Sequence, residues 1–396
     1  MNKKTTAAIT ILLIIIAVAA SITIYYFSIP LEEETEESAP SNENPPSPSV
    51  SPENESNEET PQGPPSIHLP VPQEDWEAQE PKIITLVDNA GRNITVMVPV
   101  QSIVSLNDGL TEMLCAIGVQ RKIIGRDASS TMPPSILSVP VVGENSYQPN
   151  IEAIIELKPD IVFADSMLAY NDVAMRQLEE AGIPIFIADP TDPTPTPRSN
   201  ITAVDFSCNL LSKIAIIVGS EDISEKYIQF AQYYNNLVKQ RLAGLPDDKR
   251  PKVMWEWWQP YYTFISPAIY QAGGINIAEN MTVYAPLMSA EFVVEQNPQV
   301  IIRMISSPTH NLNDFTQMWQ EIMNRPELQE VDAIKNGRVY ICDWKIRSGI
   351  CSVVGYLYFA KWIQPELFQD IDPAKVMAEL YQRFFGITVE GTFVYP

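Results

Sequence analysis

The sequence predicts an α/β protein made of two similar halves, with mostly parallel sheets and a long helical connector between them. Three observations carry this. One helix–strand unit is written twice, short apolar strands alternate with helical patterns from Lys82 onward, and a proline-free stretch separates the halves. Alternation of strand and helix is the mark of a parallel sheet covered by helices.

The repeated unit is Pro149–Phe163, PNIEAIIELKPDIVF, and its second copy is Met288–Ile302, MSAEFVVEQNPQVII, displaced by 139 positions without a gap. Each copy opens on a residue suited to capping a helix N-terminus, Asn150 or Ser289, whose side-chain oxygen accepts from an orphan backbone N–H. Glutamates follow at Glu152 and Glu156 in one copy and at Glu291 and Glu295 in the other. Pro159 and Pro298 cannot continue a helical ladder, so each helix stops before a buried strand, Ile161–Phe163 or Val300–Ile302.

The remaining chain reads in order. Lys3 and Lys4 precede Ala7–Ile29, 23 residues without a charge, long enough to span a bilayer. The basic start keeps that end inside and sends the rest out. A cleaved signal peptide, with Ala17-Val18-Ala19 as its site, is the alternative. The apolar run outlasts an ordinary signal core of about 7–15 residues, so an uncleaved anchor spanning 1–30 is the favoured expectation. Residues 31–80 hold 14 Asp and Glu and no Lys or Arg. This Pro/Glu/Ser-rich tract has too few apolar residues to offset chain entropy and is expected to be a disordered tether. Asn54, Asn93, Asn200 and Asn280 stand in N-x-S/T sequons.

The first α/β half is expected over 81–198. Ile83–Val87 and Ile94–Val98 form a hairpin pattern around Asp88-Asn89-Ala90-Gly91-Arg92, and Ile103–Leu106 reads as a buried strand. Thr111–Ile117 and Asn171–Ala181 read as helices, and Lys122–Gly125 and Ile183–Ala188 as strands. Connecting helices fill 199–245, which lacks proline up to Leu245 in a chain with 34 prolines, with a break near Gly219-Ser220. The second half, 246–396, restarts at Lys252–Trp258, carries terminal helices at Gly355–Pro365 and Pro373–Phe385, and closes on a short tail, Gly391–Pro396.

Charge and composition exclude several functions. The net charge is −23, and from Pro81 onward 35 acids face 24 bases, which argues against a nucleic-acid partner. Four cysteines (Cys115, Cys208, Cys342 and Cys351) lack C-x-x-C spacing, so no zinc site is expected. In an exported body they allow up to two disulfides in any of three pairings, and a free buried thiol is an equally good reading for Cys115, which sits inside an apolar helix pattern. The two histidines, His68 and His310, are isolated, and no G-x-S-x-G, Walker A or G-x-G-x-x-G motif occurs. No catalytic residue, resident metal or cofactor is expected.

The body from Lys82 to Pro396 resembles the substrate-binding proteins of the ferric-siderophore/cobalamin class, partners of ABC importers. The likeness rests on the Asp-x-x-Gly-Arg hairpin, Ile103-Val104-Ser105-Leu106 with Leu110-Thr111-Glu112, and Val142-Gly143 before Asn150-Ile151-Glu152. Leu157-Lys158-Pro159-Asp160-Ile161-Val162, Ala272-Gly273-Gly274-Ile275-Asn276-Ile277-Ala278 and Lys335-Asn336-Gly337-Arg338-Val339-Tyr340 extend it. The resemblance implies two Rossmann-like lobes joined by one long rigid helix, with the ligand in the cleft between them. It implies as partners an ABC permease with its ATPase, docked through Glu152 and Glu291, and as ligand a metal chelate, either a ferric complex or a corrinoid. An anchored sensor or adhesin, or an enzyme, is the competing class.

Open α/β sheets bind ligands at the carboxyl ends of their strands. Those loops carry Asn107, Asp108, Asp127, Ser129, Tyr147 and Met167 in the first half. In the second they carry Trp257, Tyr262, Tyr284, Arg303, Asp343, Trp344 and Arg347. Five aromatic residues fall within Trp255–Tyr262, suited to a large flat ligand, and Arg303 or Arg347 is a candidate for anionic groups. Cys342-Asp343-Trp344 falls where cobalamin-binding members carry an Asp-Trp pair, whereas another aromatic position of those members falls at Ala285 or Tyr284.

Overall fold

The computed structural model describes residues 80–189, 196–306 and 311–396, all within one compact unit. The expected anchor Ala7–Ile29 and the acidic tether lie outside the described residues. Among the described residues no helix is long and apolar enough to cross a membrane.

The body opens with a hairpin, β1 (Lys82–Val87) and β2 (Asn93–Val98), paired from Lys82↔Val98 to Val87↔Asn93. Its turn explains the Asp-x-x-Gly-Arg motif. Gly91 takes φ +73°, and the buried Asp88 carboxylate accepts from Ala90 N–H at 3.0 Å, Arg92 Nη2 at 2.8 Å and Ile187 N–H at 3.2 Å. That last bond ties the hairpin to the first sheet.

The first sheet contains β3 (Ile103–Ser105), β4 (Ile123–Arg126), β5 (Ile161–Ala164) and β6 (Ile185–Ile187), all parallel, in the order β4-β3-β5-β6. The second contains β7 (Lys252–Glu256), β8 (Ile275–Asn276), β9 (Val300–Ile305), β10 (Val339–Asp343) and β11 (Val394–Tyr395), in the order β11-β10-β9-β7-β8. Four strands of each sheet thus follow the same order, as a duplicated unit requires. The short tail adds β11 antiparallel to β10, with Cys342 opposite Val394.

The repeated unit is duplicated down to its caps. Helix α1 (Asp108–Ala116) precedes it; the two copies are α2 (Ile151–Leu157) and α3 (Ala290–Gln296). Asn150 Oδ1 accepts from Ala153 N–H and Ser289 Oγ from Phe292 N–H, each at 3.1 Å. Lys158 and Asn297 then take φ +51° and +46°. A left-handed residue ends each helix one position before its proline.

The connector is a correction. The break expected near Gly219-Ser220 is present and divides the connector into two antiparallel helices, α4 (Ala203–Val218) and α5 (Glu221–Leu242), where the resemblance alone implied a single long helix. Gly219 at φ +73° caps α4 and reverses the chain. The last turn of α4 lies at the first lobe, where Lys122 Nζ donates to Val218 O at 2.8 Å. Helix α5 starts there too, with Ser220 Oγ donating to Ile117 O. It spans about 33 Å at 1.5 Å per residue and ends at the second lobe, where Arg241 donates to Leu367 O at 2.8 Å.

Strand alternation divides the core. Ile161 and Phe163 of β5, and Val300 and Ile302 of β9, face one shared apolar cluster that also holds the helix pair and the terminal helices. Val162 faces a smaller cluster of the first lobe and Ile301 one of the second. Successive side chains of a strand point to opposite faces, so each sheet contributes one face to the common core. Burying a side chain such as Phe163 or Ile302 contributes about 1.5–3 kcal/mol.

Candidate ligand cleft and docking helices

The carboxyl ends of the first sheet place a polar group after each strand: Asn107 after β3, Asp127 at the end of β4, Asp165 after β5 and Asp189 after β6. They interlock. Asn107 Nδ2 donates to Asp165 Oδ2 at 2.8 Å, and Ser166 N–H donates to Asp189 Oδ1 at 2.8 Å. Ser129 and Ser130 hydroxyls both donate to Asp127, and Ser130 also meets Thr111 Oγ1 at 2.7 Å. Burial pushes the carboxyls of Asp108, Asp127 and Asp189 above the usual aspartate range. Tyr147 sits half-buried beside this rim, its carbonyl accepting from Asn171 Nδ2 at 2.9 Å. Met167 is half-buried in the short helix Ser166–Ala169.

The second sheet presents aromatic rings. Trp257 lies 5.3 Å from Trp344, 5.4 Å from Trp258 and 4.3 Å from Phe264. Phe264 continues the contact to Tyr262 at 5.4 Å and Tyr284 at 5.5 Å. Such edge-on and tilted spacings are those aromatic pairs prefer. Trp257, Trp258, Met304, Ile305, Ser306 and Trp344 line a recess of ≈ 190 Å³. Trp258 is 53% exposed, and Trp257 Nε1 is buried without an acceptor among the described residues.

Trp257, Tyr262, Tyr284 and Trp344 therefore come together in one aromatic wall, and Asn107, Asp108 and Ser129 belong to the polar rim of the other lobe. Arg303 requires a correction. It is 3% exposed, and its Nη1 lies 2.6 Å from the Glu256 carboxylate on the neighbouring strand. Its guanidinium is thus engaged inside the second lobe by a carboxylate that it shares with Arg325, and its buried Nε has no hydrogen-bond partner among the described residues. Asp343 is buried and accepts from Lys345 N–H at 2.8 Å. The Arg347 guanidinium stacks 4.3 Å over Trp255 and 5.3 Å over Phe359. The sequence reading passes over Phe264, Asp165 and Asp189. The two aspartates follow the same strand-end rule that singles out Asn107 and Asp127.

Glu152 and Glu291 both lie in the first turns of their helices and are exposed. Glu291 is held below the usual glutamate range by its own backbone N–H and by Ser289. One turn on, Ile155 and Val294 are exposed apolar residues at equivalent positions.

Residues 103–345 match the periplasmic binding protein family. The chain belongs to that family. This binding protein is thus a solute-binding protein of the ABC-transporter type and not an enzyme. It is 24% identical over 297 residues to the uncharacterized ABC transporter substrate-binding lipoprotein YvrC of Bacillus subtilis, covering 72% of this chain and 87% of that one. It is 26% identical over 237 residues to the cobalamin-binding protein of Halobacterium salinarum, covering 57% and 59% respectively. Among solved structures it is similar to the molybdate-bound MolA of Haemophilus influenzae, at a TM-score of 0.63 and 20% identity, covering 78% of this binding protein and 99% of MolA. Among the described residues no group of three or more His, Cys, Asp or Glu is arranged to hold a metal ion.

Proposed function

We propose that this chain is the extracytoplasmic substrate-binding component of an ABC importer, held to the membrane by Ala7–Ile29 and delivering a metal chelate to a permease–ATPase partner. Glu152 and Glu291 are its docking handles, one per lobe, and the ligand sits between the polar rim and the aromatic wall. A chelate brings its metal already wrapped, so the protein needs no ligating cluster of its own.

Within that class a neutral or cationic corrinoid fits better than an oxyanion or a polyanionic ferric chelate. The observation that carries this is the fate of the cations. Arg303 is consumed by Glu256, Lys345 lies 3.0 Å from Glu112, and Arg347 is stacked on Trp255. The rim opposite offers carboxylates and hydroxyls, donors and acceptors for amide side arms, while the indole wall suits a flat macrocycle. The unpaired Trp257 N–H adds one donor for a ligand acceptor.

The test is calorimetric titration of the full chain in detergent with cyanocobalamin, ferric citrate and molybdate. The expected result is tight binding of cyanocobalamin alone. Tight molybdate or ferric citrate binding with none for cyanocobalamin would overturn the corrinoid assignment.

A further inference from the structure

Glu256 ends β7 with its side chain fully buried, and three donors converge on it. Arg303 Nη1 lies 2.6 Å from Oε1, and Arg325 reaches both oxygens, at 2.8 and 2.6 Å. The third donor is the backbone N–H of Tyr261, 2.8 Å from Oε2. Arg303 is the register partner of Glu256 on β9, whereas Arg325 arrives from the turn after the helix Leu312–Met323. Glu256 meets two guanidiniums, and the second negative charge comes from Glu321, whose Oε1 lies 3.3 Å from Arg325 Nη2 at the edge of the cluster; a buried charge left unpaired there would be costly.

Tyr261 takes φ +61°, the left-handed region that a bulky L residue adopts only when its surroundings impose it. Its surroundings do so from three sides. Glu256 holds its N–H, the Arg325 guanidinium lies 5.1 Å over its ring, and its hydroxyl donates to Glu327. The turn so fixed closes a hairpin, with Trp257 N–H donating to Tyr262 O at 2.8 Å. That hairpin carries Trp257, Trp258 and Tyr262 of the aromatic wall.

The same turn has a second attachment. Tyr261 O accepts from Met288 N–H at 2.9 Å, and Thr263 N–H donates to Pro286 O at 3.1 Å. Met288 is the residue before Ser289, the cap of α3, and α3 carries Glu291. The aromatic wall and the helix carrying Glu291 are therefore both attached to the turn at Tyr261, whose backbone N–H is held by the Glu256 carboxylate.

We infer that Glu256 is a positioning residue for both working surfaces of the second lobe, the ligand wall and the docking helix, acting through the turn at Tyr261. The ligand half of this inference rests on the proposed reading of the aromatic wall. The docking half rests on the proposed role of Glu291 and on the single hydrogen bond from Met288 N–H to Tyr261 O.

The test compares Glu256→Gln and Arg325→Lys with the wild type, all as full chains. Near-ultraviolet circular dichroism reports the indole cluster, hydrogen exchange reports residues 257–265 and 284–291, and calorimetry reports cyanocobalamin affinity. The expected result is loss of the near-ultraviolet signal and at least tenfold faster exchange in both segments. Exchange in β3 and β5 stays unchanged, and cyanocobalamin binds at least tenfold more weakly. Trp258→Ala, which touches the wall alone, should weaken binding without raising exchange at 284–291. Wild-type exchange in Glu256→Gln, or faster exchange in the hairpin but not at 284–291, overturns the inference. If Glu256→Gln does not fold, Arg325→Lys decides by the same criteria. If the wild type binds no cyanocobalamin, the ligand reading fails, while the dichroism and exchange still decide the role of Glu256.

Discussion

Lys345 Nζ lies 3.0 Å from Glu112 Oε1, with the two side chains only 7% and 4% exposed. The pair joins α1 of the first lobe to the loop after β10 of the second. Tyr381 OH donates to the other carboxylate oxygen at 3.3 Å. Burial pushes the Glu112 carboxyl above the usual range although the Lys345 ammonium pulls it down. Breaking such a pair leaves one buried charge without compensation, which costs about 3–5 kcal/mol. Lys345→Ala should therefore lower unfolding free energy by about that amount. Glu112→Leu combined with Lys345→Met should recover most of it. A urea denaturation cycle over the four proteins checks this, and an additive double variant would refute it.

Docking is separable from ligand capture. Glu152→Ala with Glu291→Ala is expected to abolish uptake in cells while leaving ligand affinity unchanged, because both side chains are exposed in the first turns of their helices and neither is part of the aromatic wall. Transport at the wild-type rate in that double variant would remove the docking role.

Trp257 and Trp344 stand at 5.3 Å with the recess beside them. Truncating either to Ala should weaken binding of the true ligand by about 1–3 kcal/mol, a factor of roughly 5 to 150, by removing a stacking surface. Calorimetry on each variant reads this directly, and unchanged affinity in both would move the ligand elsewhere.

Stability should fall as pH rises through the mildly acidic range. Asp127 is raised above its ordinary 3.8 by burial, with the Ser129 and Ser130 hydroxyls opposing. Asp108 and Asp189 are raised the same way. Between the ordinary and the raised values the folded state binds more protons than the unfolded, so stability declines with pH there. Asp370, lowered by the Arg241 hydrogen bond, acts oppositely and loses its contribution as pH falls below its ordinary 3.8. The melting midpoint should thus fall as pH rises above the ordinary aspartate value of 3.8, and Asp127→Asn should flatten that slope. A slope of the opposite sign, or one unaltered in Asp127→Asn, contradicts the assignment.

All four cysteines are free and buried, which settles the disulfide question that their spacing leaves open. Burial pushes the Cys208 thiol up to about 12 and the others higher still. A native thiol titration is expected to find none reactive at pH 8 and four after denaturation, with no change in melting on adding a reductant.

The duplicated unit was legible in the sequence because everything that defines it is local. Caps at Asn150 and Ser289, apolar spacing, and a proline stop all act within a few residues, and the left-handed Lys158 and Asn297 fall at matching positions. The Asp88 hairpin was legible for the same reason. Gly219-Ser220 announced a break, but not that the chain would reverse there, since direction after a break depends on which apolar faces find each other.

Arg303 marks where local reading stops. At the far end of a strand an arginine and an aromatic run suggest a ligand for charge and ring alike, and the sequence assigned both to the cleft. The fold set Glu256, 47 residues away, opposite Arg303 in the sheet register. Sequence alone thus determined the lobes and the repeat, and with it the two exposed glutamates proposed for docking. Which charges face the cleft was decided only by tertiary structure, because a buried ion must be neutralised by whatever partner the folded chain brings within reach.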